Sequence, residues 1–270
     1  MRRAAFLALL AVAGPARGDE KLTAETIVAK HLEALAGADP KAAQALRVAE
    51  GPCRFEIIRG GMGTLDGKAR VASEGRRYGV ELRFASSEYP GESLAFDGKT
   101  VQVGFIQPRR RSPLSEFLNT YDFLLREGLV SGVLSSAWPL LDTAGRGAKL
   151  KYNGLKKVGD QKLHEIGYKA ARGQGDVDVR LYFDPATFRH VRSQYRIQLL
   201  PSMSEAIDQS ASQQDTRFEL EEIFDDFQPA GGLTLPKRWV LIFSMDGPST
   251  NALWRWTSAV ERVTSAATSP

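Results

Sequence analysis

The stretch Tyr78–Phe105, YGVELRFASSEYPGESLAFDGKTVQVGF, decides the fold class. Tyr78, Val80, Leu82 and Phe84 alternate with Gly79, Glu81 and Arg83. Successive side chains of a strand point to opposite faces, so this is a half-buried β-strand. Leu94 and Phe96 then lead into Asp97-Gly98, a strong hairpin signal, and Val101, Val103 and Phe105 return from it.

The same period-two pattern extends outward in both directions. Upstream, Phe55 and Ile57 alternate with charge, and Gly60-Gly61-Met62-Gly63 reads as a hairpin tip. Downstream, strand character resumes near Lys149, with turns expected at Asn153-Gly154 and Gly159-Asp160. Val177, Val179, Leu181 and Phe183 form another alternating run. Asp184-Pro185-Ala186-Thr187 turns it into Val191, Ser193, Tyr195, Ile197 and Leu199. Residues 201–214 read as a long polar loop. Phe218, Leu220 and Glu222 restart the alternation, Trp239, Leu241, Phe243 and Met245 continue it, and Trp254 and Trp256 close it. The tail from Thr264 is expected to be disordered.

Two helical blocks interrupt the strands. Thr23 can cap a helix whose apolar face is Ile27, Val28, His31, Leu32 and Leu35, stopping at Gly37. Asp39-Pro40 restarts a short helix through Leu46. Ser112-Pro113 opens the second block, with Phe117, Tyr121, Leu124 and Leu125 on its apolar side and a break near Gly128. A further turn or two is expected over Leu129–Ser136, ending before Pro139. The whole predicts an α+β chain: roughly ten to twelve antiparallel strands with helices laid on one face of the sheet.

The chain has 270 residues, 43% of them apolar and 25% charged, an ordinary globular composition. One cysteine rules out an internal disulfide framework and a multi-thiolate zinc site. Met1-Arg2-Arg3, the apolar run Ala4–Gly14 and the small residues Ala16 and Gly18 have the layout of a secretory signal peptide. The domain plan is therefore a signal peptide over 1–18, a single domain over 19–263 with a helical insertion at 112–138, and a tail over 264–270. Cleavage after Gly18 removes three of the 36 basic residues and none of the 32 acidic ones. That near-neutral balance gives little support for nucleic-acid binding. No segment after it is long and apolar enough to span a bilayer, so the mature product is expected to be soluble in an exported compartment. The expected compartment is the periplasm and the expected state a monomer.

No motif supplies chemistry. There is no G-x-S-x-G elbow and no H-E-x-x-H. Gly61–Lys68 only superficially suggests a phosphate loop, and a hairpin explains it better. His31, His164 and His190 are scattered and read as packed or surface imidazoles. Glu221-Glu222 and Asp225-Asp226 read as a solvated strand end, and Cys53 as a small buried hydrophobe. No cofactor and no metal are expected. Arg109-Arg110-Arg111 is the one tight basic cluster, either a solvated loop or a contact for anionic lipid or an envelope protein.

What remains is apolar surface. The inward side of the sheet is expected to carry Tyr78, Val80, Leu82, Phe84, Phe96, Val103 and Phe105 from its first half. Its second half adds Leu181, Phe183, Tyr195, Ile197, Phe218, Trp239, Phe243, Trp254 and Trp256. Phe117, Tyr121, Leu124, Leu125, Val133, Leu134 and Trp138 belong to the covering segment. These residues either fill a plain core or line a concave cavity, and periodicity assigns them inward in both cases.

Three segments carry a family resemblance. Ile27–Leu35 (IVAKHLEAL) looks like the start of many LolA-like chains, particularly those of acidobacterial type. Leu181–Phe188 (LYFDPATF) is similar to the family's hairpin before its later strands. Phe227 followed by Gly232-Leu233-Thr234-Leu235-Pro236 resembles its entry into a late strand. In that order, after a signal peptide, they resemble the LolA and LolB lipoprotein-sorting superfamily over most of 22–262. The resemblance implies a strongly curved, unclosed half-barrel whose concave face shelters acyl chains under a helical lid, here 112–138 hinged near Gly128 or Gly132. It equally accommodates a non-catalytic envelope sensor or interaction module with a filled core. An enzyme would need convergent polar groups near His164 or His190.

Overall fold

The computed structural model describes residues 22–37, 40–61, 63–199, 216–247 and 251–266. The expected signal peptide, the cap at Asp39 and the 201–214 loop lie outside them. Helix α1, Ala24–Ala36, begins where the Thr23 side chain accepts from the Thr26 N–H and ends at Gly37. A short 3-10 turn, Pro40–Gln44, gives way directly to a strand, so the helix expected through Leu46 is cut short. There follow β1 (Leu46–Arg59), β2 (Gly63–Glu74), β3 (Arg77–Phe84), β4 (Gly91–Phe96) and β5 (Val101–Val103).

The insertion then comes as α2 (Pro113–Thr120), α3 (Phe123–Arg126), 3-10 turns at Gly132–Leu134 and Pro139–Asp142, and α4 (Thr143–Arg146). Ser112 caps α2 as its sequence requires, its hydroxyl accepting from the Ser115 N–H. The helix breaks at Tyr121, about two turns before the expected Gly128. The chain returns to the sheet through β6 (Lys149–Val158), β7 (Gln161–Lys169), β8 (Asp178–Phe183), β9 (His190–Leu199), β10 (Thr216–Ala230), β11 (Leu233–Asp246), β12 (Asn251–Ala259) and β13 (Arg262–Ala266).

All thirteen strands form one antiparallel sheet in the order β5-β4-β3-β2-β1-β12-β11-β10-β9-β8-β7-β6, with β13 also on β1. The count exceeds the expected ten to twelve. Thr264, Ser265 and Ala266, expected as the start of a disordered tail, pair with Val48, Arg47 and Leu46. Asn153-Gly154, read as a turn, is a bulge inside β6. Gly51 lies where β1 passes from β12 to β13, and a Cβ there would sit 1.8 Å from the Ala259 carbonyl oxygen. Only glycine permits that approach.

The sheet is open, since β5 and β6 end it without pairing. It is also strongly curved, as the contacts require. Helix α1 touches both β11 and β6. Five steps of sheet at about 4.8 Å would hold those strands ~24 Å apart if flat, twice the width of a helix. Helix α3 touches β4, while the adjacent Glu127 accepts from the Tyr168 hydroxyl of β7. The sheet therefore curls around the insertion, which bridges the two open edges.

Candidate functional site

The concave face is where sheet and insertion meet. Every residue from Gly128 to Leu140 is buried, and so are Leu114, Ser115, Phe117, Leu118, Phe123, Leu124 and Leu125. Most of the predicted wall is buried beneath them: Tyr78, Val80, Leu82, Phe84, Phe96 and Val103 on one side, and Leu181, Phe183, Tyr195, Ile197, Trp239, Phe243 and Trp256 on the other. Phe218 and Trp254 are half-buried. Phe105 stands apart, 55% exposed just past the end of β5, with the Arg111 guanidinium 4.2 Å from its ring centre. Of the predicted covering residues, Phe117, Leu124, Leu125, Val133, Leu134 and Trp138 are buried and Tyr121 is half-buried. The two sets pack directly against each other, so the insertion itself occupies the concave face.

An opening interrupts that packing. Helix α2 leaves a groove of about 500 Å³ against the ends of β9, β10 and β11, within the usual range for small-molecule sites. Phe117, Tyr121, Leu199, Phe218 and Met245 form its apolar floor and walls, and Arg110, Arg111 and Glu116 its rim. Phe117 stacks on Phe218 at 6.0 Å and leans on Phe243 at 5.5 Å, so the groove continues into the buried aromatic face. Leu199 is 44% exposed at its mouth. Leu199 and Met245 enter the groove because their strands end there, which alternation alone does not reveal.

A few polar groups fasten the insertion to the sheet. Glu92 of β4 accepts from the Ser112 and Ser115 hydroxyls and from Tyr89. Glu222 of β10 accepts from the Ser131 backbone N–H at 2.7 Å and from Tyr195 and the Trp239 indole, each at 2.9 Å. Ser73 accepts from the Ser136 N–H, and the Trp138 indole donates to His31 Nε2. Burial raises both carboxyls, Glu222 to about 7. Burial also lowers His31 to about 4. Its Nε2 accepts a proton-bearing indole, so Nδ1 donates to the Phe188 carbonyl and the ring is neutral.

The sequence places Glu222 in a solvated strand end, and the structure corrects this. It is fully buried, whereas its neighbour Glu221 pairs with Arg192 on the outer face. The alternation Phe218, Leu220, Glu222 carried that signal. Glu92 follows the same logic in β4, inward with Leu94 and Phe96.

Gly128 and Gly132, expected as lid hinges, are wedged instead. A Cβ on Gly128 would lie 2.2 Å from the Ala137 carbonyl oxygen, and one on Gly132 2.7 Å from the Phe224 ring. Helix α2 is held differently: apart from its packing, Glu92 is its buried tie to the sheet, and it ends at the break around Tyr121-Asp122.

His190 Nε2 and the Ser193 hydroxyl lie 3.0 Å apart, but both are wholly buried, His190 Nδ1 has no partner, and desolvation holds the ring well below its ordinary pKa. That is a packed imidazole rather than a general base. His164 stacks on Phe188 and bonds to Tyr152. Cys53 is buried, and burial raises its thiol to about 11. Among the described residues no cluster of three or more metal-ligating side chains occurs, and no helix is long and apolar enough to cross a membrane.

Among solved structures, the chain is similar to a LolA superfamily protein from Nitrosomonas europaea, at 12% identity, covering 91% of this chain and 94% of that one, with a TM-score of 0.47. A putative outer membrane lipoprotein-sorting protein domain from Vibrio parahaemolyticus is similar at 10% identity, over 88% of this chain and 93% of that one, TM-score 0.42. A DUF1329 family protein from Desulfovibrio piger matches at 8% identity, over 89% and 92%, TM-score 0.41. No protein-family model matches the sequence, and no curated protein matches it.

Proposed function

We propose that this protein is an exported, periplasmic, non-catalytic carrier or binding protein that shelters acyl chains of a lipid or lipoprotein between α2 and the aromatic concave face. The observation that supports it is the apolar groove beside α2, which is lined by Phe117 and Phe218, with the buried Phe243 packed behind them. An acyl chain entering there replaces contacts that α2 makes with the sheet. The moving part is narrower than the whole insertion, because residues 128–140 are buried as a plug while α2 has the Glu92 tie.

The energetics are compatible with loading. Breaking two hydrogen bonds to a buried carboxylate costs about 3–6 kcal/mol. Burying a methylene returns about 0.8 kcal/mol, so roughly four to eight methylenes offset the loss of those two hydrogen bonds, and the rest of the chain replaces the packing of Leu114, Phe117 and Leu118. Release follows from the reverse movement once another apolar acceptor competes.

A second reading is an envelope sensor or interaction module. The complete burial of Gly128–Leu140 favours it, since that plug makes a filled core over most of the concave face.

A fatty acid carrying a photoreactive group near its terminal methyl separates the two. The carrier reading expects saturable labelling of peptides bearing Phe117, Tyr121, Phe218 or Met245, abolished by Phe218→Asp in a protein that remains folded. Unsaturable labelling, or labelling indifferent to that substitution, overturns it.

A further inference from the structure

Helix α2 turns one continuous face to the groove beside it. Pro113, Glu116, Phe117, Thr120 and Tyr121 line the groove, at the spacing i, i+3, i+4, i+7 and i+8. The groove therefore runs the length of the helix, about 12 Å. Its two ends differ in charge. Arg110 and Arg111 stand at the N-terminal end. At the far end, burial and then the Asp176 carboxylate raise the Tyr121 hydroxyl above its ordinary pKa.

Glu116 is the carboxylate on the rim, and it is paired. Its Oε2 lies 3.7 Å from Arg111 Nη1. Arg111 is fixed further by the Val103 carbonyl, to which its Nε donates at 3.4 Å, and by the Phe105 ring, 4.2 Å from its guanidinium. Arg110 is exposed and differently placed. Its guanidinium donates to the neutral Gln107 amide oxygen at 3.4 Å, and among the described residues no carboxylate pairs with it. The charge left over on the rim is therefore positive, and Arg110 carries it.

The turn that presents it is strained. Gln107 and Arg110 pair across Pro108-Arg109, and the Arg110 N–H donates to the Gln107 carbonyl at 2.9 Å. Proline at the second position and φ +61° at Arg109 make this a type II turn, whose third position favours glycine. An arginine there gains nothing from the turn itself. Its exposed side chain instead adds a second cation next to Arg110.

We propose that the groove beside α2 takes an acyl chain ending in an anionic head group, with the head at Arg110 and the chain laid along Phe117, Phe218 and Met245 toward Tyr121. This rests on the acyl-binding reading and narrows it to free anionic amphiphiles. An acyl chain joined to a protein as an ester or amide has no charged end to offer Arg110. A cationic head meets like charge on the rim, and a neutral one leaves the guanidinium unused. An acidic peptide would satisfy Arg110 but would lay backbone N–H and C=O groups against Phe117, Phe218 and Met245, where they find no hydrogen-bond partner in those side chains.

The test is equilibrium dialysis of the full chain against dodecanoate, dodecanol and dodecyltrimethylammonium at about pH 8, each kept below its micelle-forming concentration. The three share one chain length and differ in the charge of the head. Dodecanoate is expected to bind about tenfold more tightly than dodecanol, with the cation weakest. Arg110→Gln should lower the dodecanoate affinity about tenfold and leave that for dodecanol unchanged, while Arg110→Lys should keep most of the difference. Equal affinity for dodecanoate and dodecanol, tighter binding of the cation, or an equal loss for both probes in Arg110→Gln overturns the proposal while the acyl-binding reading stands. Binding of none of the three overturns both.

Discussion

Glu222→Gln tests how the insertion is fastened. In the folded protein burial pushes the Glu222 carboxyl up to about 7, from 4.5 when it is free in water. The folded state therefore holds the proton more tightly than the unfolded one. This group's contribution to stability is fully present below about pH 4.5 and is lost as pH rises through about 7. A difference of about 2.5 pH units corresponds to ~3 kcal/mol. Glutamine mimics the protonated acid. Its carbonyl oxygen can accept from the Ser131 N–H and the Trp239 indole, both of which now point at Oε1. Its NH₂ can donate to the Tyr195 hydroxyl, which turns its own proton to the Leu129 carbonyl 2.9 Å away. The substitution should therefore be nearly neutral at about pH 5 and stabilising by up to ~3 kcal/mol at about pH 8. Urea unfolding followed by tryptophan fluorescence at both pH values reads this. The comparison must be between variant and wild type, because His31 acts in the opposite sense. Its lowered value of about 4 makes its contribution disappear as pH falls from 6.5. Loss of more than about 1 kcal/mol at both pH values, or a pH slope identical to wild type, would refute the reasoning.

Gly128→Ala should destabilise the fold by about 2 kcal/mol or more, read by the urea midpoint, since the residue has φ +67° and its Cβ would meet the Ala137 carbonyl oxygen. Trp138→Phe leaves His31 Nε2 buried without its donor, and a loss of about 1–3 kcal/mol is expected, with a smaller loss in a His31→Phe background. Cys53 should resist thiol reagents in the folded protein at neutral pH and react fully in urea, because burial raises its thiol to about 11 and leaves it shielded.

Much of the architecture was legible because alternation and turn chemistry are local. Tyr78–Phe84, the Asp97-Gly98 turn, the Ser112-Pro113 cap and the Asp184 turn all fall where the sequence puts them. Arg262–Ala266 was not legible as a strand, since nothing within five small and polar residues announces that β1 will offer its edge. The inward set was equally clear, except Phe105, which continues the alternation past the point where the hydrogen-bonded ladder stops at Val103. The groove was not legible. It depends on where β9, β10 and β11 end against α2, a long-range geometry that no window of sequence contains. Glu92 and Glu222 stood at inward positions of alternating runs, and their charge argued for solvent. The donors that the insertion brings to them, Ser112, Ser115 and Ser131, lie 20 to 91 residues away, so their burial became intelligible only once those donors were in place.

Mass spectrometry of an organic extract tests the central claim most directly, using the folded protein purified after export without detergent. The account predicts a defined acyl lipid in stoichiometric amount, absent from a folded Phe218→Asp variant. A clean extract from the wild type, together with no uptake of added lipid by the folded protein, would contradict it.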